Sequence, residues 1–324
     1  MPAARTVGPV TSTSTTPAAP AAGLPTPGWI TVQFVLAGIV WGSSFLFMKV
    51  ALTGISPAQV AWTRILLGTL TLGALVLLRR EHLTRSLRVW AHLLVLGLTF
   101  CVIPFLLFSW AQQHVSSGVA SIFNATTPIM TAIMAWLVFR VERLKALQVV
   151  GIGVGILGVI VIIAPWQGIA LDGSLIAELA ILGATASYGF SFAYMRRFVS
   201  NTGMSALAFT FGYIAMAGLV MALLTPFLVL TPVRLDVPIV VSLVLLGCLG
   251  TGIAYVWNQN TVRAWGPTRA STVTYITPVV GVILGVLILG ETVTWNEPVG
   301  ALVVFLGILL AQDRLRRRPR TPQT

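Results

Sequence analysis

The stretch that decides the fold runs from Ala120 to Gly158 and reads ASIFNATTPIMTAIMAWLVFRVERLKALQVVGIGVGILG. It is an apolar run with a proline near its middle, then a charged break, then a second apolar run rich in glycine. The chain writes it again from Ala270 to Gly307, as ASTVTYITPVVGVILGVLILGETVTWNEPVGALVVFLG. Ala120-Ser121 returns as Ala270-Ser271, Thr127-Pro128 as Thr277-Pro278, Glu142 as Glu291, and Gly151 and Gly158 as Gly300 and Gly307. The offset is 150 residues before the glutamate and 149 from the glutamate on, so one residue slips between the copies. A repeat of this length in apolar sequence implies a duplicated membrane domain.

Outward from this pair the composition agrees. The 324 residues are 56% hydrophobic and 9% charged, with a mean hydropathy of +0.93. A soluble domain carries about 25% charge, so this chain reads as an integral membrane protein. A helical span needs ~20 apolar residues. Ten runs qualify, at about 30–52, 57–78, 90–112, 118–139, 146–164, 174–196, 204–228, 237–260, 268–289 and 297–313. They are continuous rather than alternating, and longer than the ~10 residues of a barrel strand. Backbone groups in lipid must bond internally. The expected fold is therefore all-α, with ten transmembrane helices in two five-helix repeats, 30–164 and 174–313. Residues 1–28 are rich in Ala, Pro and Thr and read as a disordered tail, and 314–324 read as a basic tail.

The formal net charge of +12 would raise nucleic acid as a partner in a soluble protein. Here the basic residues sit between apolar runs, and their distribution is one-sided. With the N-terminus inside, the cytoplasmic segments hold Arg5; Arg79, Arg80, Arg85 and Arg88; Arg140, Arg143 and Lys145; Arg196 and Arg197; Arg263 and Arg269; and Arg314, Arg316, Arg317, Arg318 and Arg320. That is 17 of the 20, leaving Lys49, Arg64 and Arg234. The bias places both termini in the cytoplasm, as an even span count requires. The expected partners are the lipid bilayer of the cytoplasmic membrane and a small-molecule substrate, with no nucleic acid.

The repeat extends to the first spans. Trp41-Gly42-x-Ser44-Phe45-x-x-Met48-Lys49 returns as Tyr188-Gly189-x-Ser191-Phe192-x-x-Met195-Arg196, at an offset of 147. Phe108, Trp110 and Gln112 return at the same offset as Tyr255, Trp257 and Gln259. Five is odd, so the second copy enters the membrane from the opposite side, and the halves are inverted repeats about an axis in the membrane plane. Two five-span halves, each opening on aromatic-Gly-x-x-Phe and each carrying Thr-Pro followed by a Glu beyond the span, resemble the EamA repeat of the drug/metabolite transporter superfamily. Pro278 to Gly290-Glu291 matches that family's Pro-x12-Glu pattern, whereas in the first half Val141 replaces the Gly and the spacing is one longer. The resemblance covers roughly 34–312 and implies a ten-span transporter of small metabolites, often an exporter.

Sites of such transporters lie near the midplane between halves, where helices are interrupted. Pro128 and Pro278 fall mid-span, and each deletes a backbone hydrogen bond, freeing a carbonyl for water or substrate. The plainer reading is a kink that only shapes packing. At that depth lie Trp41, Ser43 and Ser44; Asn124, Thr126 and Thr127; Ser187, Tyr188 and Ser191; and Thr274, Tyr275 and Thr277. Large aromatics suit an organic substrate held by a few directed hydrogen bonds. The small hydroxyls serve equally as glue between helices. Trp110 and Trp257, near span ends, read as interface belt or gate.

Ionisable residues inside spans are functional suspects. Arg64, two turns into the second span, would bind a substrate carboxylate or hold a gate; the alternative is snorkelling or pairing with a carbonyl. Lys49, nearer a span end, is expected to snorkel. Glu178, one turn into the sixth span, could pair with Lys49 or Arg64, or move a proton. Glu142 and Glu291 look like structural anchors at span ends. No carboxylate sits at the midplane, which favours facilitated exchange. Three scattered histidines (His82, His92, His114) and two cysteines inside apolar runs (Cys101, Cys248) make no metal or catalytic set. The Gly-x-Gly-x-Gly at 151–155 lacks the Lys-Ser/Thr of a phosphate loop. No cofactor is expected.

The reading is a secondary transporter that exports an amino-acid-like metabolite as the two halves rock, with the substrate among spans one, three, four, six, eight and nine. Multidrug, sugar or nucleotide-like efflux is the alternative, and a membrane enzyme or a non-transporting protein with a packed midplane ranks below both. The two halves of one chain are enough to close a pathway, so a monomer can do the work.

Overall fold

The computed structural model describes residues 26–141, 144–167, 173–199 and 202–311. The expected anchor Glu142 and basic tail 314–324 lie outside them, as does nearly all of the tail 1–28, whose last two residues open the first helix. The described residues are helical, without strands. Among the described residues nine helices are long and apolar enough to cross a membrane: Pro27–Ala51, Pro57–Leu78, Leu87–Ala111, Ser117–Leu137, Ala146–Ile163, Ser174–Phe198, Ala206–Leu228, Val237–Trp265 and Ser271–Leu289. A tenth apolar helix, Asn296–Ala311, is shorter. They are called the first to tenth spans below. The side where the first span begins is the near face, and the opposite side is the far face.

Span starts carry their own signals. Ser56, Ser86, Ser116, Ser205 and Asp236 each accept a hydrogen bond from the N–H three residues on, satisfying a donor the first turn would otherwise leave open. Ser56 and Gln59 do this reciprocally.

The two repeats are not separate blocks. The main packing partners are the first span with the eighth and ninth, the second with the seventh and eighth, and the third with the sixth and seventh. The fourth packs with the sixth and ninth, and the fifth with the tenth. Exchanging the halves maps this set onto itself: first-with-eighth becomes sixth-with-third, first-with-ninth becomes sixth-with-fourth, and second–seventh, fourth–ninth and fifth–tenth are their own counterparts. That is the pattern of an inverted duplication.

Glycines set these crossings. A Cβ on Gly42 would stand 2.6 Å from Val280 Cβ and 2.9 Å from the Thr277 carbonyl oxygen. A Cβ on its counterpart Gly189 would stand 2.5–2.8 Å from the backbone of Met130 and Thr131. The aromatic-Gly pair of each half thus lets the first and sixth spans pass directly beside the Thr-Pro segment of the other half. The fifth and tenth spans touch backbone to backbone at Gly151, Gly158, Gly300 and Gly307, where added Cβ atoms would come within 2.3–2.6 Å of the facing helix. Gly307→Leu should force this pair apart. Overpacking of this kind costs about 1–3 kcal/mol, and a lower unfolding temperature in detergent would register it; an unchanged temperature would show the crossing to be slack.

The third and eighth spans each contain a π-helical segment, Leu98–Val102 and Leu245–Ile253, starting at repeat-equivalent positions. The fourth span breaks between Asn124 and Thr127, and the ninth begins as 3₁₀ helix over Ser271–Tyr275 before turning α-helical at Ile276. These four irregular segments meet at mid-depth, consistent with non-helical backbone being tolerated only where protein or a cavity satisfies it.

Candidate functional site

A cavity lies where the irregular segments converge. Only about 50 Å³ of it admits the centre of a water molecule. That is well below the roughly 300–1,000 Å³ of ligand pockets, so the room is a slit, and rings must turn for a substrate to fit.

Its walls obey the repeat. Trp41 faces Tyr188, Phe45 answers Phe192, Phe108 answers Tyr255 and Asn124 answers Thr274, each pair being the same position in the two halves. Of the residues expected from sequence, Trp41, Ser44, Arg64, Asn124, Thr127 and Tyr188 line the cavity. Ser191 does not: its hydroxyl bonds Thr99 Oγ1 at 2.7 Å and the Ser187 carbonyl at 3.0 Å, gluing the sixth span to the third. Thr277 lies behind the wall and accepts a bond from Asn124 Nδ2 at 3.3 Å. Pro128, Tyr275 and Pro278 shape the fourth and ninth spans without forming the wall. Glu178 is half-buried and stands outside the cavity.

The expectation that the prolines free carbonyls for substrate is corrected. Pro128 cannot donate to the Asn124 carbonyl and Pro278 cannot donate to the Thr274 carbonyl, each four residues back. The threonine before each proline fills the gap: Thr127 Oγ1 donates to Asn124 O at 2.7 Å and Thr277 Oγ1 to Thr274 O at 2.8 Å. Thr-Pro is thus one device, in which the hydroxyl restores what the ring removes. The carbonyls that the π segments loosen also find protein partners. Trp41 Nε1 donates to Gly250 O at 3.0 Å, Ser187 Oγ to Thr99 O at 2.6 Å, and Tyr255 OH to Phe100 O at 3.3 Å.

Arg64 is the one charged group of the cavity wall. It is 4% exposed, so it does not snorkel. Its Nε donates to Thr251 Oγ1 at 3.2 Å, and its guanidinium lies 3.7 Å above the centre of the Phe105 ring. Thr251 is itself held through Oγ1 to Leu246 O, five residues back, inside the eighth-span π segment. A cation–π contact of this kind is worth about 2 kcal/mol when desolvated, far below what burial of an unpaired charge costs. Among the described residues the side chain makes this one hydrogen bond, through Nε, and the residue lines the cavity. The wall contains no carboxylate. The site is therefore a ring-lined slot with a buried guanidinium in its wall, a group whose fork of donors suits a carboxylate.

Lys49 is also corrected. Instead of snorkelling outward, its ammonium turns in to the carbonyls of Gln112 and Val115, at 2.6 and 2.9 Å, at the end of the third span. Those last-turn carbonyls lack helical partners and carry the negative end of the helix dipole, so a cation is drawn to them. Glu291 serves the mirror role at the start of the fourth span. Its carboxylate accepts from Ser117 N, Ser117 Oγ and Gly118 N at 2.7, 2.8 and 3.0 Å. It is the structural anchor the sequence suggested.

Sequence reasoning did not single out Phe45, Met48, Phe100, Phe105 and Phe192 as wall residues. Trp41, Ser44, Phe45 and Met48 follow an i, i+3, i+4, i+7 spacing on one helix face. In a span that is apolar all round, that face has no contrast by which to be seen.

Among described residues no group of three or more His, Cys, Asp or Glu could hold a metal. The chain matches the EamA-like transporter family over residues 28–164 and 175–312, one match per repeat. It is 28% identical to the "Uncharacterized inner membrane transporter YedA" of Escherichia coli (strain K12), over 84% of this chain and 87% of that one. It is 24% identical to the "Uncharacterized transporter YoaV" of Bacillus subtilis, over 86% and 95%. It is 26% identical to the "Probable amino-acid metabolite efflux pump" of Salmonella typhimurium, over 85% and 92%. A protein of known crystal structure shares the fold with a TM-score of 0.65 at 17% identity, over 88% of this chain and 98% of that one.

Proposed function

The chain belongs to the EamA-like transporter family, as a multi-pass membrane protein with one family repeat in each half, and from that premise we propose that it exports a small apolar amino acid or a close relative by alternating access. The observation that carries the substrate class is the buried guanidinium of Arg64, bonded among the described residues only through Nε, in a cavity wall without an acid. Two parallel N–H groups match the two oxygens of a carboxylate. The rings of Trp41, Phe45, Phe108, Tyr188 and Tyr255 supply apolar contact for a side chain. Asn124, whose amide nitrogen is taken by Thr277, offers its carbonyl oxygen to an ammonium. A relative at 26% identity is named for amino-acid metabolite efflux, which supports the same reading. A cationic drug fits this slot poorly, because a buried cation calls for a buried acid.

The near face is taken as cytoplasmic, on the positive-inside charge bias. Because the repeats interlock along their length, the moving parts are smaller than whole repeats. With no carboxylate in the cavity wall, exchange rather than proton coupling is the expected mode, and Glu178 is the residue to test if a pH gradient does drive flux.

The experiment is counterflow in proteoliposomes with labelled leucine, phenylalanine and related apolar amino acids, each compared with its primary amide as competitor. The acids should exchange, and the amides, which keep the shape and lose the charge, should compete at least about tenfold less well. Equal competition by acid and amide would remove the carboxylate from the recognition.

A further inference from the structure

At the far face, just beyond the cavity, the first and third spans are locked by three bonds. Lys49 Nζ holds the carbonyls of Gln112 and Val115, and Gln112 Nε2 donates to the carbonyl of Phe45 at 3.2 Å. The offset of 147 carries Phe45, Lys49, Gln112 and Val115 onto Phe192, Arg196, Gln259 and Val262 at the near face. The same four positions exist twice, once at each mouth of the cavity.

The two mouths differ. At the far face Gln112 is fully buried and bonded. At the near face Arg196, Gln259 and Val262 border a recess in which about 230 Å³ admits the centre of a water molecule. The Gln259 side chain has no hydrogen-bond partner among the described residues, although the residue is 6% exposed. Gln112 Oε1 is unpaired as well, so the contrast lies in the amide N–H₂ groups. Recess and cavity adjoin: Phe192 and Tyr255 line the cavity, and Met195 and Gln259, one turn further on, line the recess. The positions that are bonded at the far face thus border a recess at the near face.

The geometry points to Gln259 as the near-face gating residue. When the near face closes, its amide donates to the Phe192 carbonyl, as Gln112 donates to Phe45 here. The end of the eighth span then lies against the sixth, with Arg196 in the place of Lys49, and the far-face set lets go. An inverted duplication supplies both end states from one design, because exchanging the conformations of the two halves turns one into the other. An amide hydrogen-bonded to the protein in one state and not in the other biases the equilibrium toward the bonded state. The inference rests on alternating access and is independent of what is carried.

The test needs no substrate. In a background with Cys101→Ala and Cys248→Ala, Val115→Cys reports far-face opening through its rate of reaction with a membrane-impermeant maleimide in oriented vesicles. Gln112→Ala should raise that rate and Gln259→Ala should lower it, each by about two- to tenfold, the range expected for loss of one buried hydrogen bond. The double variant should return toward the parent, which a misfolded protein would not do. A far-face rate that Gln259→Ala leaves unchanged or raises, while Gln112→Ala raises it, overturns the near-face gate and leaves alternating access standing. If neither variant moves the rate, the gate and alternating access both fall.

Discussion

Arg64→Met is expected to abolish transport of carboxylate substrates while leaving the protein at least as stable as the parent. The two effects separate because the guanidinium is buried with one side-chain hydrogen bond, to Thr251, and one ring contact, to Phe105. Each charge-assisted hydrogen bond to a substrate is worth about 1.5–3 kcal/mol. Losing two removes at least about 3 kcal/mol, roughly a 100-fold loss of apparent affinity. Among the described residues no carboxylate lines the cavity to balance that charge, and an apolar side chain of similar length in place of a poorly paired buried ion is often neutral or stabilising. Counterflow and unfolding temperature in detergent, measured on the same preparation, check the pair of outcomes. Arg64→Lys should recover only part of the transport, since an ammonium is a point charge without the fork. A variant that transports normally but unfolds at a clearly lower temperature would return Arg64 to a structural role.

Glu291→Ala should destabilise the protein more than any other single truncation at the far face. The carboxylate accepts three bonds at the first turn of the fourth span and sits at the positive end of its helix dipole. Its removal leaves the N–H groups of Ser117 and Gly118 without that partner, at a cost of about 2–4 kcal/mol. Glu291→Gln, which keeps the shape and loses the charge, should cost about half as much. Unfolding temperature in detergent reads both. Because Glu291 stands on the loop after the ninth span and its partners on the fourth, the loss also unpins the far-face end of the fourth span. The Val115→Cys labelling rate should therefore rise in Glu291→Ala. Unchanged stability and unchanged labelling would mean that water replaces the carboxylate without loss.

The helical fold was written plainly in the sequence. Ten apolar runs, a 147- to 150-residue repeat and an odd span count per copy fix the architecture, because lipid permits only internally bonded backbone and because duplicating five spans inverts the copy. The identity of the family followed from the Thr-Pro and Glu pattern repeated in order. Part of the site was legible for the same reason: a polar or charged side chain stands out in an apolar span, so Trp41, Ser44, Arg64, Asn124, Thr127 and Tyr188 could be named in advance, and all line the cavity.

What sequence left open is what each polar group bonds to. Ser191 and Arg64 look alike as polar positions in apolar spans. Only packing gives the serine a threonine on the third span and puts the arginine in the cavity wall, bonded to the protein through Nε. The threonine of each Thr-Pro reads as a binding hydroxyl until the chain geometry shows it bonding the carbonyl that the proline abandons. Lys49 reads as a snorkel until the third span brings two unpaired carbonyls within reach. The π segments of the third and eighth spans have no sequence signature here, because their stability comes from neighbours such as Trp41 and Tyr255, which accept the role only once folded. Sequence by itself determined how many helices there are, how they invert and which residues are polar, because those follow from local hydropathy and periodicity. The tertiary structure alone decided which of those polar groups are spent on the protein and which remain for a substrate, because a hydrogen bond between spans joins residues far apart in the chain, 63 positions for Lys49 and Gln112 and 187 for Arg64 and Thr251.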